Sequence, residues 1–428
     1  MYSAQDVTSH LCPCDNDGMT PRRRLTFAAL TVVLVLGVAE AVMHVLAPEG
    51  GGREKGFVGH SAAVPYFVQQ GARWVPNRSE MSRYTSLPVT RTQGGLRVAV
   101  FGGSTIASNP PDGPMWQLSA MLDLGFGGDT QVLNGGGHGF GSTRVRGAML
   151  EALPRDLDAV VLYTGHNEFT ESRYVSSLSV QGGVGGMMQS LRRNSRVYEA
   201  LRLGIRDLRG LPHAVSSEVP GGPLHTGEMD RLAARFSDNL EAMAAAMKTH
   251  GVPGVWVLPA SSLGMAPEAS KGGVAMAHFE RGRGLQKAGD RSGALSALKQ
   301  ARDEDQVPRR ATSQLVRIMS DVATRYQIPL VDAEQVLLDR DYDRTLSGGF
   351  SADRMHLDAV GYRLVMTEVY AALGRTMHLR PIHEIAGRLP DPGASLAPVL
   401  GNIERTVSAP TLGELEHKPR DKSMTGGR

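Results

Sequence analysis

Leu96-Arg97-Val98-Ala99-Val100-Phe101-Gly102-Gly103-Ser104-Thr105 is the stretch on which the reading of the fold turns. Its first six residues are a short apolar run, and the two glycines stop it at a tight turn, as for a buried strand that ends and hands the chain to a helix. Four similar runs lie further on. They are Gln131–Asn134, followed by three glycines; Asp158–Thr164, ending at Gly165; Val255–Leu258; and Ile328–Asp332. Between them, 116–122, 143–153 and 229–250 carry helical periodicity. Strands that alternate with helices predict an α/β fold: a parallel central sheet with helices on both faces. Such sheets gather their reactive groups beyond the carboxyl ends of the strands.

The composition narrows the function classes. Hydrophobic residues make up 41% of the 428 positions and charged residues 21%, ordinary globular usage, and the net charge of +3 comes with no basic stripe, which excludes a nucleic-acid binder. Both cysteines, Cys12 and Cys14, lie in the first fourteen residues, so nothing beyond them can form a disulfide or a thiolate metal site. Met19 offers a second start, because the arginines and apolar run behind it read as an export leader.

Arg22, Arg23 and Arg24 precede an apolar segment, Leu25–Ala47, interrupted by Glu40 alone among its acidic residues. Its 23 residues can cross roughly 30 Å of hydrocarbon at about 1.5 Å per residue. The arginines assign the preceding end to the cytoplasm and the rest of the chain to the outer side. Ala39-Glu40-Ala41 also fits a signal-peptide cleavage pattern, but the apolar run continues past it, which favours an uncleaved anchor. The organisation expected is a cytoplasmic leader at 1–21, a membrane anchor at 22–48, a linker and lead-in to the domain at 49–94, a globular domain at 95–386 and a disordered tail at 387–428. Within the domain, 275–308 reads as a helical hairpin. Its Gly282, Gly289, Ala294, Ala301 and Pro308 fit the tetratricopeptide pattern, and a single such unit is expected to pack on the domain rather than form a solenoid.

Four separated segments carry chemistry. FGGST (101–105) sets Ser104 on a turn after the first strand, where glycines leave its hydroxyl uncrowded. NGGGHGFG (134–141) is a glycine-rich turn whose backbone N–H groups can face an anion, and TGHNEF (164–169) places the Asn167 amide at the end of the most apolar strand. In DRMHLDAVGY (353–362), three-residue spacing lets the Asp353 carboxylate fix the tautomer of His356. A serine alone on a turn is usually structural and Asp353 alone could be only a helix cap; the set in this order makes the catalytic reading.

In their combination and order these segments resemble the four sequence blocks of the SGNH/GDSL hydrolases. The resemblance implies a flavodoxin-like three-layer α/β/α sandwich and hydrolysis of acyl esters without metal or other cofactor. By position, Ser104 resembles the nucleophile, His356 the general base and Asp353 the acid that orients it. Ser104, Gly139 and Asn167 then supply the oxyanion hole. Gly103 stands where the commonest pattern has aspartate, so substrates are not carried over. The GHNEF form, the anchor and the hairpin together resemble an exported bacterial subgroup.

Three further features admit a second reading. His138, His166 and Glu168 suggest a metal site, but no paired-histidine helical spacing accompanies them. Arg310 could grip an anionic substrate group or be simply solvated. The expected partners are an ester-bearing small molecule, lipid or glycan, and the membrane through the N-terminal helix; a protein could dock on 275–308. The alternatives to an esterase are an O-acyltransferase acting on exported polysaccharide, and a membrane-tethered binding or assembly protein that keeps the fold without catalysis.

Overall fold

The computed structural model describes residues 20–46, 65–78, 80–81, 86–107, 113–172, 197, 224, 227–268, 273–351 and 353–391. The leader before residue 20 and the tail after 391 lie outside them.

The N-terminal segment forms helix α1, Pro21–Leu46, which belongs to a unit separate from the α/β body. Its stretch Arg23–Val42 spans 20 residues at a mean hydropathy of 2.3, long and apolar enough to cross a membrane. Leu25, Phe27, Leu30 and Leu34 on it are exposed.

The described part of the lead-in, from residue 65 onward, carries strands of its own. Strands β1 (Phe67–Gln70), β2 (Arg73–Pro76) and β3 (Leu87–Pro88) make a small antiparallel sheet. Phe67 and Leu87 drop into the main core, and the Glu151 carboxylate accepts the Tyr66 and Phe67 N–H groups at 2.7 and 2.8 Å. The strands are only two to four residues long and anchor through single side chains, so no sustained period marks them in the sequence.

The five apolar runs become the five parallel strands β4 (Leu96–Gly102), β5 (Thr130–Asn134), β6 (Ala159–Tyr163), β7 (Gly254–Leu258) and β8 (Leu330–Asp332), in the order β5-β4-β6-β7-β8. This is the flavodoxin-like strand order, whose switch point lies beside the strand that comes first in sequence. Alternate side chains of each strand enter opposite cores. Phe101, Val160, Leu162 and Trp256 pack on helices α4 (Ser142–Ala152) and α5 (Glu228–His250). Val98, Val100, Val161 and Val257 pack on α3 (Pro114–Phe126) on the other face, with a helix near the C-terminus described below. Strands β4, β6 and β7 are buried on both faces and are nearly continuous in apolar residues, which explains why these runs show no alternation. The short helix α2, Ser104–Ala107, begins at the end of β4.

The hairpin consists of α6 (Val274–Lys287) and α7 (Arg291–Asp303). Gly282, Ala294 and Ala301 are buried, with Gly282 against Leu298. After it come α8 (Ser313–Arg325), on the first face, then α9 (Ala333–Arg340), α10 (Tyr342–Ser347) and α11 (Ala359–Met377), the helix that completes the second face; the short α12 (Ile382–Ile385) and a 3-10 turn, Ala386–Arg388, follow. Ala294 and Leu298 share a small core with Leu338 and Leu346, and the buried Arg302 pairs with Glu334 at 2.8 Å, so the hairpin is fastened to α9 and α10.

Candidate active site

Beyond the carboxyl ends of β4, β5 and β6, the four sequence segments converge. Ser104 is the first residue of α2, and its turn is held by Ile106 and Ala107 N–H groups donating to Gly103 O at 3.1 and 2.9 Å. His356 Nε2 lies 2.8 Å from Ser104 Oγ across 252 positions of sequence, and His356 Nδ1 lies 2.6 Å from Asp353 Oδ2. The Asp353 carboxylate therefore selects the tautomer with hydrogen on Nδ1 and leaves Nε2 to accept from the serine hydroxyl. Burial by itself would raise Asp353; hydrogen bonds from the His356 ring and from the Met355 and His356 N–H groups outweigh it and hold the carboxyl well below its ordinary range.

Gly103 explains itself here. A Cβ on it would come within 2.4 Å of Asn167 Nδ2 and 3.0 Å of Phe140 O, so only glycine lets the amide lie against the serine turn. Asn167 Nδ2 donates to Phe140 O at 3.1 Å; a primary amide has a second N–H for another acceptor. Gly139 sits in the same turn at φ +69°, a left-handed conformation that suits glycine. Among the described residues, the backbone N–H groups of Ser104 and Gly139 have no hydrogen-bond partner.

The remaining sequence candidates are placed as follows. His166 is buried, its Nδ1 accepts the Ala311 N–H at 3.3 Å, and burial followed by the charge of His356 pushes its pKa down to about 3. His138 is exposed, with its N–H on Glu80 O at 2.8 Å; partial burial and His356 lower its pKa against the pull of Glu80. The Glu168 carboxylate is occupied by the N–H and hydroxyl of Ser142, both at 2.7 Å. Among the described residues no three His, Cys, Asp or Glu side chains gather as metal ligands would. Arg310 is buried rather than solvated: at 3% exposure it donates to Ser262 O and, at 3.1 Å, to Met265 O, bracing the loop after β7. Burial, reinforced by Arg302 and Arg354, lowers its pKa to about 10.

Sequence reasoning missed the supports of this site. Arg354, between Asp353 and His356, donates to Ala266 O at 2.7 Å and lies 3.5 Å from Glu268, while its own carbonyl accepts the Ser262 N–H at 3.0 Å. Arg144 and Glu171 form a buried ion pair beside Gly139 and Asn167. The one signal available was Glu171 standing one helical turn after Asn167, with Glu168 between them.

No family model matches the chain, and no curated protein matches it. Among solved structures it is similar to an α/β-hydrolase enzyme from the metagenome of Lake Arreo, Spain, at 13% identity over 65% of this chain and 95% of that one, with a TM-score of 0.36. An acetyl xylan esterase is similar at 14% identity over 65% of this chain and all of the other, with a TM-score of 0.36. A GDSL-like lipase from Bacteroides thetaiotaomicron is similar at 10% identity over 68% and 93%, with a TM-score of 0.35. These likenesses bring no residue roles to this chain.

Proposed function

We propose that the chain is a serine acyl-ester hydrolase of SGNH type, with Ser104 as nucleophile, His356 as general base and Asp353 as the group that orients it. The observation that carries this reading is the unbroken line of contacts from Asp353 through His356 to Ser104 Oγ. A serine hydroxyl is a weak nucleophile until a base removes its proton, and a base positioned on its second nitrogen by a carboxylate is the arrangement that does so. Ser104 Oγ attacks an ester carbonyl and its proton passes to His356 Nε2. The carbonyl oxygen, now negative, takes hydrogen bonds from the Ser104 and Gly139 N–H groups and the Asn167 amide. Collapse expels the alcohol, which receives the proton from His356. Water activated by the same imidazole then releases the acid and restores the serine.

The catalytic domain is assigned to 95–386, with the small sheet at 67–88 as its extension, and α1 is assigned as a membrane anchor that keeps the domain on the extracytoplasmic side. The substrate class is an envelope or exported ester, on a small molecule, lipid or glycan. The test is labelling of the purified full chain with a fluorophosphonate probe. Wild type reacts at Ser104 and Ser104→Ala does not; a folded wild type that stays unlabelled overturns the proposal.

A further inference from the structure

The turn that carries Gly139 and the segment that carries Asn167 come from different strands, and one buried ion pair ties them together. Arg144, in the first turn of α4, is 1% exposed. Burying a guanidinium is costly unless it is paired with an opposite charge and hydrogen-bonded. Here Nε donates to Glu171 Oε1 at 2.8 Å, a terminal nitrogen donates to the carbonyl of Gly139, and the guanidinium lies over the Phe140 ring at 4.6 Å. The second Glu171 oxygen accepts the Thr143 N–H at 2.9 Å. Glu171 is itself held one turn beyond Asn167 by its N–H on Asn167 O at 2.8 Å.

We infer that Arg144 is a positioning residue for the oxyanion hole: its planar fork fixes the Gly139 carbonyl with one arm and the Asn167 segment, through Glu171, with the other. Gly139 has little of its own to hold it at a positive φ, since glycine visits both signs freely. The peptide on its N-terminal side is that of His138, whose own N–H rests on Glu80 O at 2.8 Å; the peptide on its C-terminal side has its N–H, that of Phe140, on Gly137 O at 3.0 Å, and Arg144 gives that same plane a second bond at its Gly139 oxygen. A lysine, with one point charge and no fork, cannot meet the carbonyl and the carboxylate in this geometry.

The inference rests on the hydrolase reading, and the experiment separates their failures. Full-length wild type, Arg144→Lys and the charge-free pair Arg144→Met with Glu171→Met are compared. The double variant is included because an apolar pair replacing a buried ion pair leaves no stranded charge and tends to keep the fold. Each is assayed for fluorophosphonate labelling, for kcat and KM on a short-chain p-nitrophenyl ester, and for inhibition by an alkylboronic acid, which forms a tetrahedral adduct on the serine.

The expected result is a kcat lower by about 10- to 100-fold in both variants, short of the roughly 10²- to 10³-fold of deleting a donor outright, with KM nearly unchanged and boronate affinity weakened in proportion to kcat. A purely structural role would move melting temperature without that split. Wild-type kcat and boronate affinity in the folded double variant sink the inference alone, with wild-type labelling intact. Absence of labelling in wild type sinks the hydrolase reading and this inference with it.

Discussion

The two halves of the candidate site are built differently. On the side of Gly139 and Asn167 the supports are interior: Asn167 is 7% exposed, Arg144 and Glu171 are each 1% exposed, and a missing methyl at Gly103 sets the amide's position, while Gly139 itself is half-buried. On the side of the base, the His356 ring is 27% exposed and the Asp353 carboxylate 51%. That half is held by local turns: Asp353 accepts two backbone N–H groups from its own loop, and Arg354 ties the loop to residues 262–268. Donors for a developing charge must not reorganise as it forms, and burial behind a packed core enforces that. A base that has to take up and deliver protons works at the boundary with solvent. The difference teaches that one half depends on shape and the other on a few polar bonds, so the two should fail in different ways.

The base side offers the largest effect. Asp353→Asn keeps an oxygen for the Met355 and His356 N–H groups but no longer selects the Nδ1–H tautomer, so kcat should fall by about 10⁴-fold while the chain stays folded, its melting temperature lowered only by loss of the ionised carboxylate's contribution. A loss of less than tenfold would mean that something other than this carboxylate orients the ring, and the contrast would collapse.

On the buried side, Gly103→Ala is the sharper probe. The new methyl must displace Asn167 Nδ2, so its kcat should match that of Asn167→Ala, lower by roughly 10²- to 10³-fold, and the double variant should be no worse than either single. Additive losses would show that the methyl does its damage elsewhere. Smaller again is Arg354→Ala. Its bonds lie on a partly exposed loop, so stability should drop by about 0.2–1 kcal/mol in a denaturant titration, with a few-fold loss of kcat.

The same division governed what the sequence could disclose. Strands β4, β6 and β7 of the main sheet were legible because strands buried on both faces are nearly continuous in apolar residues, and glycines after β4, β5 and β6 mark where those strands stop. Ser104, His356 and Asp353 were legible because their spacing repeats a known order. The small sheet at 67–88 was not, since its strands are two to four residues long and attach by Phe67, Leu87 and bonds to Glu151, partners more than sixty positions away in the last case. Arg310 misled because a charged side chain next to an insertion reads as exposed; only the fold reveals that the carbonyls of Ser262 and Met265 wait for it. Arg144 escaped notice for the same reason. Its partners are Gly139 and Glu171, and nothing local distinguishes it from Arg146 on the same helix.

A last effect, on stability alone, separates the halves by pH. Glu168 is 1% exposed, and burial first, then the charge of Glu171, raises it to about 7 against the bonds from Ser142 and the pull of Arg235. Its ordinary value is 4.5, so the folded chain binds this proton more tightly than the unfolded one. The resulting stabilisation is complete below about 4.5 and is lost as pH climbs through 7. Asp353 runs the other way: its carboxyl is depressed, so its contribution stands at neutral pH and disappears only in acid, below its ordinary value of 3.8. Glu168→Gln copies the protonated form, accepting the Ser142 N–H and donating to its hydroxyl. Between pH 5 and 8 the wild type should therefore lose melting temperature relative to the variant, by a few degrees if about 1 kcal/mol is at stake, since that moves a domain of this class by roughly 2–4 °C. Parallel curves would mean that Glu168 stays ionised throughout, with the charge at the start of α4 compensated by Arg144 and Arg235, and the buried half would then be held by charge as much as by shape.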